Sequence, residues 1–302
     1  MSDARQVLDP EIRARIANLT FKAKRAVEGV LSGAHRSPHR GASVVFVEHR
    51  EYRPGDDLRL LDWRAYARSD RHTIKRFEQE TQLRATLVLD ASASMDFAGS
   101  EGGGTSKAEH AATLLAALGL VLVRQGDAAG VVRFARDVIA SLPARSRPAH
   151  LELVLGELAL PIEKEASTDL RAALTAAAER AGRRGVVAIA SDLLDFGEHA
   201  LAPIDQLVHH GHEVWVFQVM HPEELELPFD GPTRFLGLEG EEALDVDPTA
   251  LREGYLRELG AFLDGCRARC TAAGARYRLV RTDEPVERVL ADVLAATGGR
   301  RR

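Results

Sequence analysis

From residue 85 onward the sequence predicts an α/β fold: a mainly parallel sheet with helices on both faces. Three observations carry this. Short apolar runs alternate with longer amphipathic stretches, as strands linked by crossover helices require. Gly126, Gly185, Gly211 and Gly274 fall just past four of the amphipathic stretches, where helix C-terminal caps belong. Two of the apolar runs end in an aspartate, Asp90 and Asp192, at the strand ends beyond which such sheets bind ligands.

Taken in order, residues 10–32 read as a helix. Its apolar positions are Ile12, Ile16, Leu19, Phe21, Ala23, Val27, Val30 and Leu31, with basic residues between them. The stretch "SGAHRSPHRGAS" reads as a loop. A block dense in charges of both signs follows, with strand-like alternation around a Pro54-Gly55 turn. Residues 1–84 thus form an N-terminal extension with a helix and strands, and residues 85–302 form the α/β domain. In that domain strands are expected at 85–90, 129–134, 137–141, 186–191, 213–219 and 276–281. Helices are expected at 107–125, 148–158, 169–183, 198–210, 249–273 and 285–296.

Composition narrows the function classes. A chain of 302 residues, 45% hydrophobic and 28% charged, can bury a substantial core. Its net charge of -5 gives no global reason to bind nucleic acid or an anionic membrane. No apolar run approaches a membrane span, and the N-terminus carries no signal-peptide pattern, so a cytoplasmic protein is expected. Cys266 and Cys270 lie four apart on a helix and read as two small residues on one face, since no further ligands at metal spacing accompany them. His209, His210 and His212 read as a surface turn between helix and strand.

The chemistry concentrates in "TLVLDASASMDF", residues 86–97. An apolar strand ends in Asp90, and oxygen-bearing side chains follow at Ser92 and Ser94. "EASTDLRAAL" sets Thr168 at the start of a helix, and "VVAIASDLLDF" ends a strand in Ser191-Asp192. Carboxylates and hydroxyls are hard oxygen donors of the kind magnesium prefers. If the strands ending at 90 and 191 are near neighbours, Asp90, Ser92, Ser94, Thr168 and Asp192 converge on one crevice. Each piece also has a plainer reading: the serines as turn residues, Thr168 as a helix N-cap, Asp192 as the start of a loop.

This order, DxSxS followed by a threonine opening a helix and an aspartate after a later strand, resembles the von Willebrand factor type A domain, a Rossmann-like fold. The upstream run "REYRPGDDLRLLDWRAYARSD" before "DASASM" narrows the resemblance to the bacterial domain-of-unknown-function family fifty-eight, over about residues 28–296. The resemblance implies a metal-ion-dependent adhesion site at Asp90, Ser92, Ser94, Thr168 and Asp192. It would hold magnesium or manganese, with the hydroxyls bound directly and the carboxylates often acting through water. A cation among mostly neutral ligands stays electrophilic and accepts a carboxylate from a partner. The implied protein is a non-enzymatic interaction module, associated with a MoxR-type AAA+ ATPase and an acidic-ligand-bearing client in assembly or maturation.

Other readings weigh less. The loop "GSEGGGTSK" lacks the Gly-Lys-Ser/Thr order of a phosphate-binding loop, and reads either as a flap beside the crevice or as a surface insertion. A dehalogenase-like phosphatase needs a second acid two residues after the first, where Ser92 stands. No Gly-x-Ser-x-Gly elbow surrounds Ser92 or Ser94. A metal-dependent hydrolase built on Asp56, Asp57 and Asp62 is the alternative enzyme reading. The Arg50–Arg71 block itself, with Trp63 and Tyr66 expected to pack, stays open between an internal ion-pair network and a docking surface.

Overall fold

The six apolar runs of the α/β domain all become strands of one sheet in a computed structural model. It describes residues 10–33, 45–51, 73–78, 83–162, 169–181, 184–194 and 202–298. The strands are β3 (Arg84–Asp90), β4 (Ala128–Phe134), β5 (Val138–Arg145), β6 (Val186–Ser191), β7 (Glu213–Met220) and β10 (Arg276–Arg281). Their order is β10-β7-β6-β3-β4-β5, parallel except for β5, which runs antiparallel to β4 at the edge. The interior strands are buried on both faces, which is why they read as continuous apolar runs. β5 alternates half-buried and exposed residues, as an edge strand covered on one face does.

Helices cover both faces. Leu87 and Leu89 point into a core shared with α1 (Pro10–Gly33), α2 (Lys107–Arg124), α3 (Pro148–Ala159) and α8 (Val286–Gly298). Val88 points the other way, toward α4 (Leu170–Ala181), α5 (Ala202–His209) and α7 (Pro248–Ala272). The opposite destinations of adjacent residues follow from the two-residue period of a strand. Helix α2 is buried nearly all round, with Leu114 and Leu115 fully enclosed. Each such leucine contributes about 1.5–3 kcal/mol of apolar burial.

Helix α1 buries Leu19, Ala23, Ala26 and Val27 at the i, i+4, i+7, i+8 spacing of one helical face. Phe21 and Leu31, counted with the apolar positions in the sequence, are instead 65% and 61% exposed. Phe21 sits two residues from Leu19, about 200° round the helix. Gly126, Gly211 and Gly274 have positive φ, as left-handed helix caps require. Gly185 does not; a Cβ there would stand 2.1 Å from the Arg84 carbonyl oxygen, so close strand approach is its reason. Cys266 and Cys270 are both buried on α7, as two small residues on one face. His209 and His210 lie exposed, whereas His212 is buried where the chain turns into β7.

Residues Pro38–Gln82 form a compact unit of their own. In it β1 (Val45–Glu51) pairs antiparallel with β2 (Thr73–Glu78), giving the strands expected in the extension. The rest of the Arg/Asp-rich block, including Asp56, Asp57, Asp62, Trp63 and Tyr66, lies outside the described residues. A short helix α6 (Pro222–Glu226) and a hairpin of β8 (Thr233–Phe235) with β9 (Leu244–Val246) follow β7. No helix among the described residues is long and apolar enough to cross a membrane.

Candidate functional site

Strand order reverses direction between β3 and β6: the chain leaves β3 for β4 on one side and returns to β6 on the other. A parallel sheet opens a crevice at the carboxyl ends of such a pair. Leu89 is registered against Ala190, so Asp90 and Ser191 emerge side by side at that crevice. The Ser191 hydroxyl donates to Asp90 Oδ2 at 2.6 Å, and the Ser92 amide donates to Asp90 Oδ1 at 3.0 Å. After Asp90 the chain turns through a 3-10 segment, Ala93–Asp96, which brings Ser92 Oγ and Ser94 Oγ within 3.2 Å of each other. Asp90 and Ser92 are fully buried, and Ser94 is nearly so.

On the β6 side, Asp192 is buried and its backbone carbonyl accepts from Gln218 Nε2 at 2.8 Å. Gln218 is fixed in turn by the Tyr277 hydroxyl, which donates to its Oε1 at 2.7 Å. Leu193 follows Asp192 with φ of 60°, an uncommon conformation for a non-glycine residue. Its amide donates to Ser191 Oγ at 3.0 Å, and its side chain is buried in the core. Backbone strain of this kind, held by packing and hydrogen bonds, fixes the direction in which Asp192 leaves the strand.

Four of the five residues singled out in the sequence, Asp90, Ser92, Ser94 and Asp192, therefore meet at the switch point. Thr168 lies outside the described residues. The next residue, Asp169, donates its amide to the Ala135 carbonyl at 3.2 Å, beside the end of β4, and caps α4 by accepting from the Ala172 amide at 2.8 Å.

The structure adds residues that the sequence did not mark. Lys107, first residue of α2, is fully buried; its ammonium donates to Asp192 Oδ2 at 2.9 Å and Glu224 Oε1 at 2.6 Å. Burial works to lower the Lys107 pKa, but Asp192 and Glu224 outweigh it and the net direction is upward. Glu224 is held by a capping box on α6, in which its other oxygen accepts from the His221 amide at 2.7 Å. One available signal for Lys107 was its place at the head of "KAEHAATLLAALGLVLV", a lysine on a helix too apolar to present a solvated face there. Nothing near Glu224 in the sequence foretold its reach, since the short helix α6, which follows β7, supplies it.

The charge state follows from this geometry. Burial, and then the neighbouring Asp192 carboxylate, push Asp90 up to about 7, against the hydrogen bonds from Ser191 and Ser92 that favour its charged form. The Lys107 ammonium stands 2.9 Å from Asp192 Oδ2. The glycine-rich loop ahead of α2 is tied to α6: Glu223 accepts from the Ser100 amide at 2.8 Å and from its hydroxyl at 3.2 Å.

Fold and crevice together define an α/β protein with a hydroxyl-and-carboxylate site at the switch point of its sheet. The chain belongs to the family described as "Protein of unknown function DUF58", which it matches over residues 48–261. The resemblance read from the Arg/Asp-rich run and the DASASM motif is thereby borne out. The uncharacterized proteins Rv1480 of Mycobacterium tuberculosis and Mb1516 of Mycobacterium bovis are each 29% identical over 301 residues, covering 97% of this chain and 91% of theirs. Among solved structures, the conserved hypothetical protein BatB from Bacteroides thetaiotaomicron has a TM-score of 0.46 at 20% identity, over 72% of this chain and 99% of its own. A von Willebrand factor type A structure from Catenulispora acidiphila has a TM-score of 0.40 at 13% identity, over 74% of this chain and 43% of its own.

Proposed function

We propose that this protein is a non-enzymatic, metal-ion-dependent protein-interaction module. In this reading magnesium or manganese is held by Ser92, Ser94, Thr168, Asp90 and Asp192. The observation that carries it is the pair of buried hydroxyls, Ser92 Oγ and Ser94 Oγ, set 3.2 Å apart at the switch point where Asp90 and Asp192 are also buried. Adjacent ligands in an octahedral magnesium shell stand about 3 Å apart, given bond lengths of about 2.1 Å, so the donor pair fits such an ion. The buried acids fit as well, because a positive charge beside Asp90 would relieve the repulsion that raises its pKa. Among the described residues no three His, Cys, Asp or Glu side chains are placed to hold a metal ion, and the reading rests on the hydroxyl pair.

When bound, the cation would supply an electrophilic centre for a carboxylate from another protein. The chain's own groups perform the rest. Ser191 and the Ser92 amide orient Asp90. Gln218 and the strained turn at Leu193 orient Asp192. Lys107 holds Asp192 and Glu224 at fixed separation. The partners proposed, on the strength of the family resemblance, are a MoxR-type AAA+ ATPase and a client bearing an exposed acid, in the cytoplasm.

Isothermal titration of Mg²⁺ and Mn²⁺ into wild type and Asp90→Ala, with folding checked by circular dichroism, tests the reading. Binding by wild type that is lost in the folded variant supports it. Equal binding by both proteins, or binding by neither, refutes it.

A further inference from the structure

The hairpin loop between β8 and β9, "LGLEGEEA" at residues 236–243, sends an acidic side chain to the crevice. Glu239 Oε1 accepts a hydrogen bond from the Ser94 backbone amide at 3.2 Å, across 145 residues of sequence. Ser94 is one of the two hydroxyl donors of the site, so this carboxylate stands at the site's mouth. Glu239 is half-buried there, although both leucines before it in the loop, Leu236 and Leu238, are exposed, at 70% and 45%. The loop tip is therefore not held down by its apolar side chains. Its polar contacts hold it: Glu239 to Ser94, and the Glu239 amide to Glu241 Oε2 at 3.0 Å. Gly240, with φ of 96°, makes the turn that follows.

We infer that Glu239 is a tethered ligand of the crevice, occupying the place that a partner's carboxylate would take. The occupant that displaces it is an acidic peptide segment, and this part of the inference rests on the interaction reading above. Two properties follow from the tether. A ligand on the same chain acts at an effective concentration of millimolar order, so an outside acid must compete with it and binds more weakly than the crevice alone would allow. Displacement also frees the loop, which then offers Leu236 and Leu238 beside the occupied site.

Amide deuterium exchange at Ser94, on the full chain in EDTA, tests the contact without metal. Wild type is compared with Glu239→Ala and with Glu239→Gln, whose carboxamide oxygen still accepts a hydrogen bond but carries no charge. The expected result is exchange about tenfold faster in the alanine variant, with the glutamine variant between. Equal rates in all three proteins overturn the inference. The second arm measures binding of a fluorescein-labelled, acetylated peptide of residues 236–243 in Mg²⁺. It should bind Glu239→Ala about tenfold more tightly than wild type, the tethered rival being gone. Equal affinity for both proteins, or binding to neither, overturns the assignment of Glu239 as a ligand. Repeating this arm in EDTA separates the two readings: tighter binding by the variant that persists without metal supports the tethered ligand and removes metal dependence.

Discussion

Lys107 is where the charge balance of the crevice can be tested most directly. Its side chain is 1% exposed, and the partners Asp192 and Glu224 are 2% and 20% exposed. At an effective dielectric of about 20, each contact is worth roughly 6 kcal/mol of Coulomb attraction, most of which offsets the cost of taking the charges out of water. Lys107→Met keeps the length and most of the volume of the side chain, so packing changes little. What it removes is the positive charge, leaving Asp192 buried without its ion-pair partner. Breaking a buried pair in this way costs about 3–5 kcal/mol, a large part of the ~5–15 kcal/mol that holds a typical domain together. Urea denaturation at pH 7.5 in EDTA would read this as a lowered midpoint at unchanged slope. Asp192→Asn on the Lys107→Met background should then recover part of the loss, with a coupling energy of about 2 kcal/mol or more in the double-mutant cycle. A loss under about 1 kcal/mol, or two additive single effects, would show that the ion pair is not sequestered from water and would refute the reasoning.

Further expectations concern the two displaced titrations and the sheet edge. With Asp90 near 7 when folded and at 3.8 as the ordinary value, the unfolded chain ionises first as pH rises. Asp90's own contribution to metal-free stability should therefore fall between about pH 4 and pH 7. Relative to wild type, Asp90→Asn should gain up to about 4 kcal/mol between pH 4 and pH 8, measured by thermal melts in EDTA. His110 is the opposite case: burial, the largest influence on it, holds it down at about 4 from 6.5, and its buried Nε2 has no hydrogen-bond partner among the described residues. The unfolded chain takes up a proton that the folded one refuses, so the contribution of His110 to stability should drop by about 3 kcal/mol as pH falls from 6.5 to 4, opposing that of Asp90. Relative to wild type, His110→Leu should therefore gain about 3 kcal/mol more at pH 4 than at pH 6.5, measured by urea denaturation, and a pH-independent difference would contradict the assignment. Gly130→Ala would set a Cβ 2.5 Å from the Leu142 carbonyl oxygen and 2.6 Å from the Ala144 amide nitrogen, both backbone atoms of β5. It should lower the melting temperature by the equivalent of about 1–3 kcal/mol, and an unaltered melt would mean that β5 yields freely.

The sheet was legible because buried parallel strands declare themselves as apolar runs, and β3, β6 and β10 begin and end within a residue of their expected limits. The direction of β5 was not legible, since a strand's side-chain period is the same whichever way it runs. The hairpin β8–β9 and helix α6 escaped because three to five residues are too few for a period to emerge. Within the site, Asp90, Ser92, Ser94 and Asp192 were readable because each sits on or just past a strand end that periodicity locates. Lys107, Glu224 and Glu239 were not. Their roles depend on which helix start, capping box and hairpin the topology folds over the crevice, and local spacing carries no record of that.

The hydrogen bond from Ser191 to Asp90 joins residues 101 apart in sequence, and the contact from Ser94 to Glu239 spans 145. Neither can form until β3 and β6 are paired and the chain beyond β7 has returned over them, steps that come at the non-local, slow end of folding. A half-folded copy carries every one of these side chains and yet offers no crevice. Any protein that recognises this molecule through that crevice is thus reading a certificate of completed folding: it engages finished copies and passes over nascent or damaged ones.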